Sequence, residues 1–352
     1  MRFLPLAGIL LAFVMVGIGI WQITETPGSV LDEEPPTVVP TSTPGETVIV
    51  TVREGETAQE VGDKLEDEGV IASGLLFRVL VALEGYDSKL VAGDYEFDKG
   101  TPTLEVIDRI RRGQTAPLVV TIREGVRAEE IADLMEEKKV ISAADFLEAI
   151  THWYEFAFLY TKPYWATLEG YLFPDTYFFN RNMTAEEVVQ QILENFDQRF
   201  DSELRQEAAA AGMSAHTVLT LASIVEREAQ LPEERPIIAD VFLRRLRRGM
   251  PLEADPTVQY ALGNDPASVA KYGYWKQDLT QADLEVDSPY NTYRNTGLPP
   301  APICNPGLDS IRAVLNPAQT NYLYFVARAD GSHVFAETLE EHLRNIEQYG
   351  GR

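Results

Sequence analysis

Val50-Thr-Val-Arg-Glu-Gly-Glu-Thr-Ala-Gln-Glu-Val-Gly-Asp-Lys-Leu-Glu66 returns 70 positions later as Val120-Thr-Ile-Arg-Glu-Gly-Val-Arg-Ala-Glu-Glu-Ile-Ala-Asp-Leu-Met-Glu136. Each copy then reaches a Val-Ile pair, Val70-Ile71 and Val140-Ile141, and 11 of the 22 positions from Val50 to Ile71 are identical, which is too many for coincidence. In each copy the alternating apolar residues predict a short strand, the Glu-Gly pair a turn, and the next stretch an amphipathic helix. Ala58, Val61 and Leu65 have helical spacing in the first copy, and Ala128, Ile131 and Met135 match them in the second. The fold class that follows is α+β, with Glu-rich solvated helix faces and no metal ligands in the repeat.

Outward from the repeat, the whole chain of 352 residues has room for two or three domains. A hydrophobic share of 45% allows large buried cores and excludes wholesale disorder. Thirty Lys and Arg against 55 Asp and Glu leave a net charge of −25. A nucleic-acid binder would need a basic face, so that balance favours a neutral, glycan-like substrate instead. The lone Cys304 excludes an intramolecular disulfide framework and a CxxC zinc site. It reads as a small residue near a turn.

On the amino-terminal side, Phe3 to Ile23 carries no charged residue, a length that spans a bilayer as a helix. The run exceeds a signal-peptide core and no Ala-x-Ala site follows Trp21, which favours an uncleaved anchor. Arg2 precedes the span, and no Lys or Arg follows it until Arg53. The positive-inside bias then sets the amino terminus in the cytoplasm and the rest outside the plasma membrane. Thr24 to Thr47, with Pro27, Pro35, Pro36, Pro40 and Pro44 and the acidic Asp32, Glu33 and Glu34, reads as an extended spacer. The expected organisation is an anchor at 1–23, a linker at 24–46, one module at 47–115, a second with a junction at 116–183, and a catalytic domain at 184–352.

Beyond the repeat, Thr184-Ala-Glu-Glu187 is a capping box, and a further helix is predicted from His216 to Glu228 after Ser214. A third helix is predicted at about Pro236–Arg248 with Ile237, Val241, Phe242 and Leu246 inward, and with Arg244, Arg245, Arg247 and Arg248 solvated at its negative end. Tyr322–Val326, Asp330-Gly331 and His333–Phe335 predict a hairpin, and Thr338-Leu-Glu-Glu341 caps a last helix.

Glu226 and Glu228 end a helix otherwise built of Val218, Leu221, Ala222, Ile224 and Val225. A carboxyl group held against apolar side chains has a raised pKa, because burial disfavours its charged form. Such an acid stays protonated at neutral pH and can donate a proton. At about 100° per residue the two glutamates point roughly 160° apart, so only one faces a given cleft. Helical geometry does not choose between them.

Four further segments accompany that helix: Leu168-Glu-Gly-Tyr-Leu-Phe-Pro-Asp-Thr-Tyr177, Leu252-Glu-Ala-Asp-Pro-Thr-Val-Gln-Tyr260, Ser288-Pro-Tyr-Asn-Thr-Tyr293 and Gly297-Leu-Pro-Pro-Ala-Pro-Ile303. In this order, with Leu221–Glu228, they resemble the bacterial endolytic murein transglycosylases of the YceG-like (MltG) family, and the strand–turn–helix repeat resembles LysM-like modules. The resemblance implies a single-pass anchored enzyme that cuts nascent peptidoglycan strands between N-acetylmuramic acid (MurNAc) and N-acetylglucosamine (GlcNAc), leaving 1,6-anhydro-MurNAc ends. It implies partnership with peptidoglycan synthases, and no cofactor or metal. The family's catalytic glutamate falls on Glu228; Ala229 stands where many relatives carry Thr or Ser. One acid suffices, because the sugar's own 6-hydroxyl replaces water as nucleophile. Asp255, Thr257, Gln259 and Tyr260 are expected to line the cleft, and Tyr290, Asn291 and Tyr293 to orient the sugar. Glu226 and Asp255 are the candidates for a second carboxylate. Glu169, Tyr171 and Asp175 are candidates for bracing the domain junction.

Two rival readings are a non-catalytic peptidoglycan-binding scaffold and a glycan hydrolase. The scaffold leaves Glu228 without a task, and a hydrolase would need a second carboxylate. The four histidines form no HExxH and no GxSxG occurs, against metallo- and serine hydrolases. His333 and His342 read as packing or surface residues.

Overall fold

A computed structural model describes residues 46–86 and 90–349. The candidate anchor and nearly all of the spacer lie outside the described residues.

The α+β expectation holds, and the duplication runs further than the sequence identity. In the first copy β1 (Thr47–Val52), α1 (Ala58–Asp67), α2 (Gly74–Leu83), β2 (Gly93–Asp98) and α3 (Thr103–Arg111) follow one another. The second copy repeats that order as β3 (Leu118–Thr121), α4 (Ala128–Glu137), α5 (Ala143–Ala149), β4 (Thr176–Phe179) and α6 (Ala185–Arg199). In both, the two strands pair antiparallel, with Val50 opposite Tyr95 and Val120 opposite Tyr177. Each tyrosine hydroxyl donates to the carbonyl four residues back, Tyr95 to Val91 at 2.7 Å and Tyr177 to Phe173 at 2.6 Å. The buried Phe97, Val106, Ile107 and Ile110 correspond in the same way to Phe179, Val188, Val189 and Ile192. These later pairs share an offset of 82 in place of 70, so the second copy carries about a dozen extra residues between its second helix and second strand.

Local chemistry explains the shared start. Gly55 and Gly125 make the turns at φ of 82° and 76°, a region that residues with a Cβ avoid. Thr57 then caps α1, its hydroxyl accepting from Glu60 N while Glu60 returns a bond to Thr57 N. The first copy closes its own core around Val61, Leu65, Phe77, Val81 and Tyr95. The equivalent residues of the second copy, Ile131, Met135, Phe146, Ile150 and Tyr177, instead join a large core that continues through the rest of the chain.

That core is built around α8 (Ala215–Glu228), which follows α7 (Ser202–Ala210) and is buried along Val218–Val225. Around it pack α9 (Arg235–Arg247) and α10 (Asp255–Leu262), with α11 (Pro266–Tyr272) following; α12 (Leu308–Leu315) also lies against it. The chain ends in the hairpin β5 (Tyr324–Ala327) and β6 (His333–Ala336), covered by α13 (Leu339–Tyr349). The capping boxes at Thr184 and Thr338 form as expected. Two details of α9 correct the sequence reading. Ile238 is fully buried where Ile237 was expected to be, and Arg245 is buried instead of solvated. Its guanidinium donates to the carbonyls of Leu323, Pro251 and Leu252, three acceptors that only the tertiary fold gathers.

Candidate active site

Glu226, Arg227 and Glu228 leave the last turn of α8 in three directions. Glu226 turns toward α12: its Oε2 accepts from Gly307 N at 3.1 Å and Ser310 Oγ at 2.7 Å, and its Oε1 faces Arg235 at 3.5 Å. Arg227 donates to Gly125 O in the turn of the second copy and lies 3.8 Å from the centre of the Trp275 ring. Glu228 lines a cavity of about 360 Å³ between the end of α8, the start of α10, the β5–β6 hairpin and α13. Among the described residues no hydrogen bond or ion pair engages its carboxyl group. Burial against the apolar helix, with the Asp255 charge nearby, pushes that carboxyl up to about 8.

Asp255 and Tyr293 line the same cavity, as expected, and Asp255 Oδ1 accepts from the Tyr293 hydroxyl at 2.6 Å. Burial and the Asp255 charge push the Tyr293 hydroxyl well above its usual range, so it remains a donor. The other expected cleft residues sit behind this wall. Thr257 is fully buried and shares hydrogens with Thr292, joining the start of α10 to the 291–293 segment. Asn291, also fully buried, donates to the carbonyls of Leu284 and Val286 and accepts from Tyr293 N, which positions the tyrosine. Gln259 donates to Lys276 O, and Tyr260 packs on Tyr290 with ring centres 4.7 Å apart. Glu226, bonded to α12, is directed away from the cavity.

The hairpin wall has no counterpart in sequence spacing. His333 is buried at the cavity with Nδ1 2.6 Å from Glu234 Oε2, while its main-chain N donates to Glu234 Oε1 at 2.9 Å. The pair is 99 positions apart, beyond any local pattern. Glu253 also lines the cavity, held at φ 53° with its carboxylate on Arg245. Its unusual backbone is fixed by Glu253 N donating to Thr292 O.

Behind α8 the second copy serves as a bracket. Asn305 is fully buried; its Oδ1 accepts from Gly170 N and Leu172 N, and its Nδ2 donates to Val126 O and Glu169 Oε1. Glu169 caps α4 through Ala128 N, and burial pushes its carboxyl up to about 8. Tyr171 stacks on His216 at the start of α8, and Asp175 holds Asn195 and Arg199 of α6. Arg127, fully buried, donates to Tyr260 O and Asn264 and lies 4.1 Å from the centre of the Tyr260 ring.

Residues 50–348 match the model of the YceG-like family. An endolytic murein transglycosylase of Bacillus subtilis is 34% identical over 325 residues, covering 86% of this chain and 85% of that protein. A protein of the same name from Streptococcus pneumoniae is 30% identical over 331 residues, covering 86% of this chain and 58% of that protein. The crystal structure of a YceG-like protein from Listeria monocytogenes superposes with a TM-score of 0.56 at 34% identity, covering 85% of this chain and 98% of that one. The match thus runs from β1 to α13 without leaving out the duplication, the bracket or the cavity, and the chain belongs to the YceG-like family.

Proposed function

We propose that this enzyme is a peptidoglycan lytic transglycosylase in which Glu228 is the acid and then the base. The relatives are named endolytic murein transglycosylases, and the chain is an enzyme of that class. One observation carries the assignment of Glu228: a carboxyl group at a cavity, with no partner among the described residues and raised to about 8, is protonated at neutral pH.

The protonated Glu228 donates to the glycosidic oxygen leaving from C1 of MurNAc, so that the C1–O4 bond to GlcNAc breaks. The resulting carboxylate takes the proton of the MurNAc 6-hydroxyl as its oxygen bonds to C1. No water is consumed, the sugar ends as a 1,6-anhydro ring, and Glu228 is left as a carboxylic acid once more. Attack from within the substrate spares the cost of bringing a second reactant into place. Tyr293, held by Asp255 and Asn291, faces the reacting sugar.

The uncharged run from Phe3 to Ile23 acts as a single-pass anchor with a cytoplasmic amino terminus. The catalytic region built around α8, which shares its core with the second copy, works outside the plasma membrane. The module at 47–115 holds glycan in a LysM-like manner, a reading supported by its strand, Gly turn and helix, and the second module at 116–183 forms the junction to the catalytic region. The substrate is nascent glycan, and the partners are peptidoglycan synthases. A hydrolytic variant of the reaction is favoured by one observation, the Asp255 carboxylate in the same cavity as Glu228, where it could activate a water.

The test incubates the purified full-length chain and its Glu228→Gln variant with un-crosslinked glycan strands, with products read by mass. Anhydro ends from the parent, and a loss of about a thousandfold or more in the variant, are expected. Products heavier by one water would establish hydrolysis, and strand binding without cleavage by either would establish the scaffold. The pH profile has a defined sign. Cleavage falls as pH rises through about 8, because the acid deprotonates. Asp255→Asn removes a charge that raises that pKa, so the fall moves to lower pH. An unmoved alkaline limb would separate Asp255 from the acid.

A further inference from the structure

The Glu228 cavity has a second built feature, the Glu234–His333 pair on its hairpin wall. Glu234 leads into α9 and His333 opens β6, and both are buried. Two bonds fix the imidazole: Oε1 of Glu234 accepts from the His333 main-chain N at 2.9 Å, and Oε2 lies 2.6 Å from Nδ1. The Phe325 ring meets the imidazole edge-on with centres 5.2 Å apart, which fixes the plane of the ring. A carboxylate is an acceptor only, so Nδ1 carries the hydrogen in this contact. Nε2 is then the ring nitrogen left for whatever fills the cavity, and in the neutral ring it is an acceptor.

We propose that His333 is a substrate-positioning residue of the Glu228 cavity, its Nε2 accepting a hydrogen bond from a hydroxyl or amide N–H of an N-acetylhexosamine unit, with Glu234 setting the tautomer. This rests on the reading of the cavity as the glycan site. The carboxylate does for His333 what an orienting group does for any histidine that must present one nitrogen: it sets which nitrogen bears the hydrogen and aims the other. Besides three carboxyl groups, the polar lining of the cavity includes the Tyr293 hydroxyl, the Arg328 guanidinium and the His342 imidazole, and Nε2 of His333 adds a partner for the sugar on the hairpin wall.

Three variants separate this role from simple support of the hairpin. His333→Asn places an amide near the position of Nδ1, keeping a partner for Glu234 but losing reach into the cavity. His333→Gln carries an acceptor to roughly the position of Nε2 and loses the Glu234 contact. Glu234→Gln changes no shape: its carbonyl must face the His333 main-chain N–H, which turns the NH2 toward Nδ1. That forces the hydrogen onto Nε2 and converts the cavity acceptor into a donor.

Strand binding is measured by titration with un-crosslinked glycan on the full-length chain carrying Glu228→Gln, so no turnover interferes. Cleavage is measured on the chain with Glu228 intact, with KM and kcat separated, and melting temperature is recorded for every variant. The expected result is binding weakened about tenfold by His333→Asn and by Glu234→Gln, a matching rise in KM with little change in kcat, and substantial recovery with His333→Gln. Near-parental binding by His333→Asn and Glu234→Gln, with His333→Gln the impaired one, would overturn the proposal and leave His333 a packing residue. If one variant melts early, the remaining two decide. A parent that binds strands and cleaves them, with binding unmoved by Glu234→Gln, refutes this inference alone; a parent that neither binds nor cleaves refutes the glycan reading itself.

Discussion

The two copies of the repeat start from nearly the same sequence and end in opposite employment. The first is self-sufficient: Thr57 caps its own helix, and its core is closed by its own residues. The second keeps only part of this. Arg127 stands where Thr57 would be; Glu130 still accepts from Arg127 N, but Glu169 of the extra segment accepts from Ala128 N, and the apolar face is shared with α8 and its neighbours. Even the helix crossing differs. Gly62 and Gly74 bring α1 and α2 together at backbone contact, while Ala132 and Ala143 occupy the equivalent places in the second copy. A module that keeps its core local stays a module; one that exports its core becomes scaffolding for its neighbour's chemistry.

Exchanging residues between equivalent positions is the direct way to break that comparison. The largest effect is expected from Arg127→Thr, which installs the first copy's residue in the second. It removes the guanidinium from Tyr260 O, Asn264, the Tyr260 ring and its ion pair with Glu129. A loss of about 3–5 kcal/mol in denaturant unfolding is expected, with reduced cleavage because α10 is loosened. Parental stability would mean that the second copy still caps and closes itself.

Gly74→Ala makes the opposite exchange. A Cβ there would lie 2.6 Å from Gly62 O and 2.7 Å from Gly62 C, both backbone atoms, so the helices must separate. A cost of about 1–3 kcal/mol is expected from the overpacking, with cleavage of soluble strands unchanged, since that core is separate. Smallest of the three is Thr57→Ala, about 1 kcal/mol for a lost helix cap, again without effect on turnover. A fall in kcat from either first-copy variant would show that the first core is coupled to the site after all.

Much of this was legible in the sequence, and the limits have physical causes. The front of each copy shows because glycine turns and helix stripes constrain residue identity. The back was invisible. Tyr95 and Tyr177, or Val106 and Val188, are matched by burial and by one hydroxyl bond, and the extra segment moves them to a different offset. At the site, the apolar length of α8 pointed to a perturbed glutamate, but choosing Glu228 over Glu226 required the family resemblance. In the fold, Glu226 is engaged by Ser310 and Gly307, 84 and 81 residues away, and Glu228 lines the cavity. Polar residues beside aromatics suit sugars, which is why the sequence places Thr257 in the cleft and Asn291 on the sugar; the fold uses their side chains on backbone groups. The buried contacts of Arg245 and His333 are beyond sequence reading for the same reason: Leu323 lies 78 positions from Arg245 and Glu234 lies 99 from His333.

The bond from Glu226 to α12 has a consequence for how such a chain can vary. With Glu226 fastened to Ser310 and Gly307 and Arg227 to Gly125, the last turn of α8 is keyed in angle as well as in place. Inserting or deleting one residue between Leu221 and Glu228 would rotate everything after it by about 100°, so the acid would face protein and the key would no longer fit. Point substitutions along the buried stripe can be absorbed by repacking, whereas changes in length cannot. The spacing from the middle of α8 to its final glutamate is therefore a ruler, and length there should be the least negotiable property of the chain.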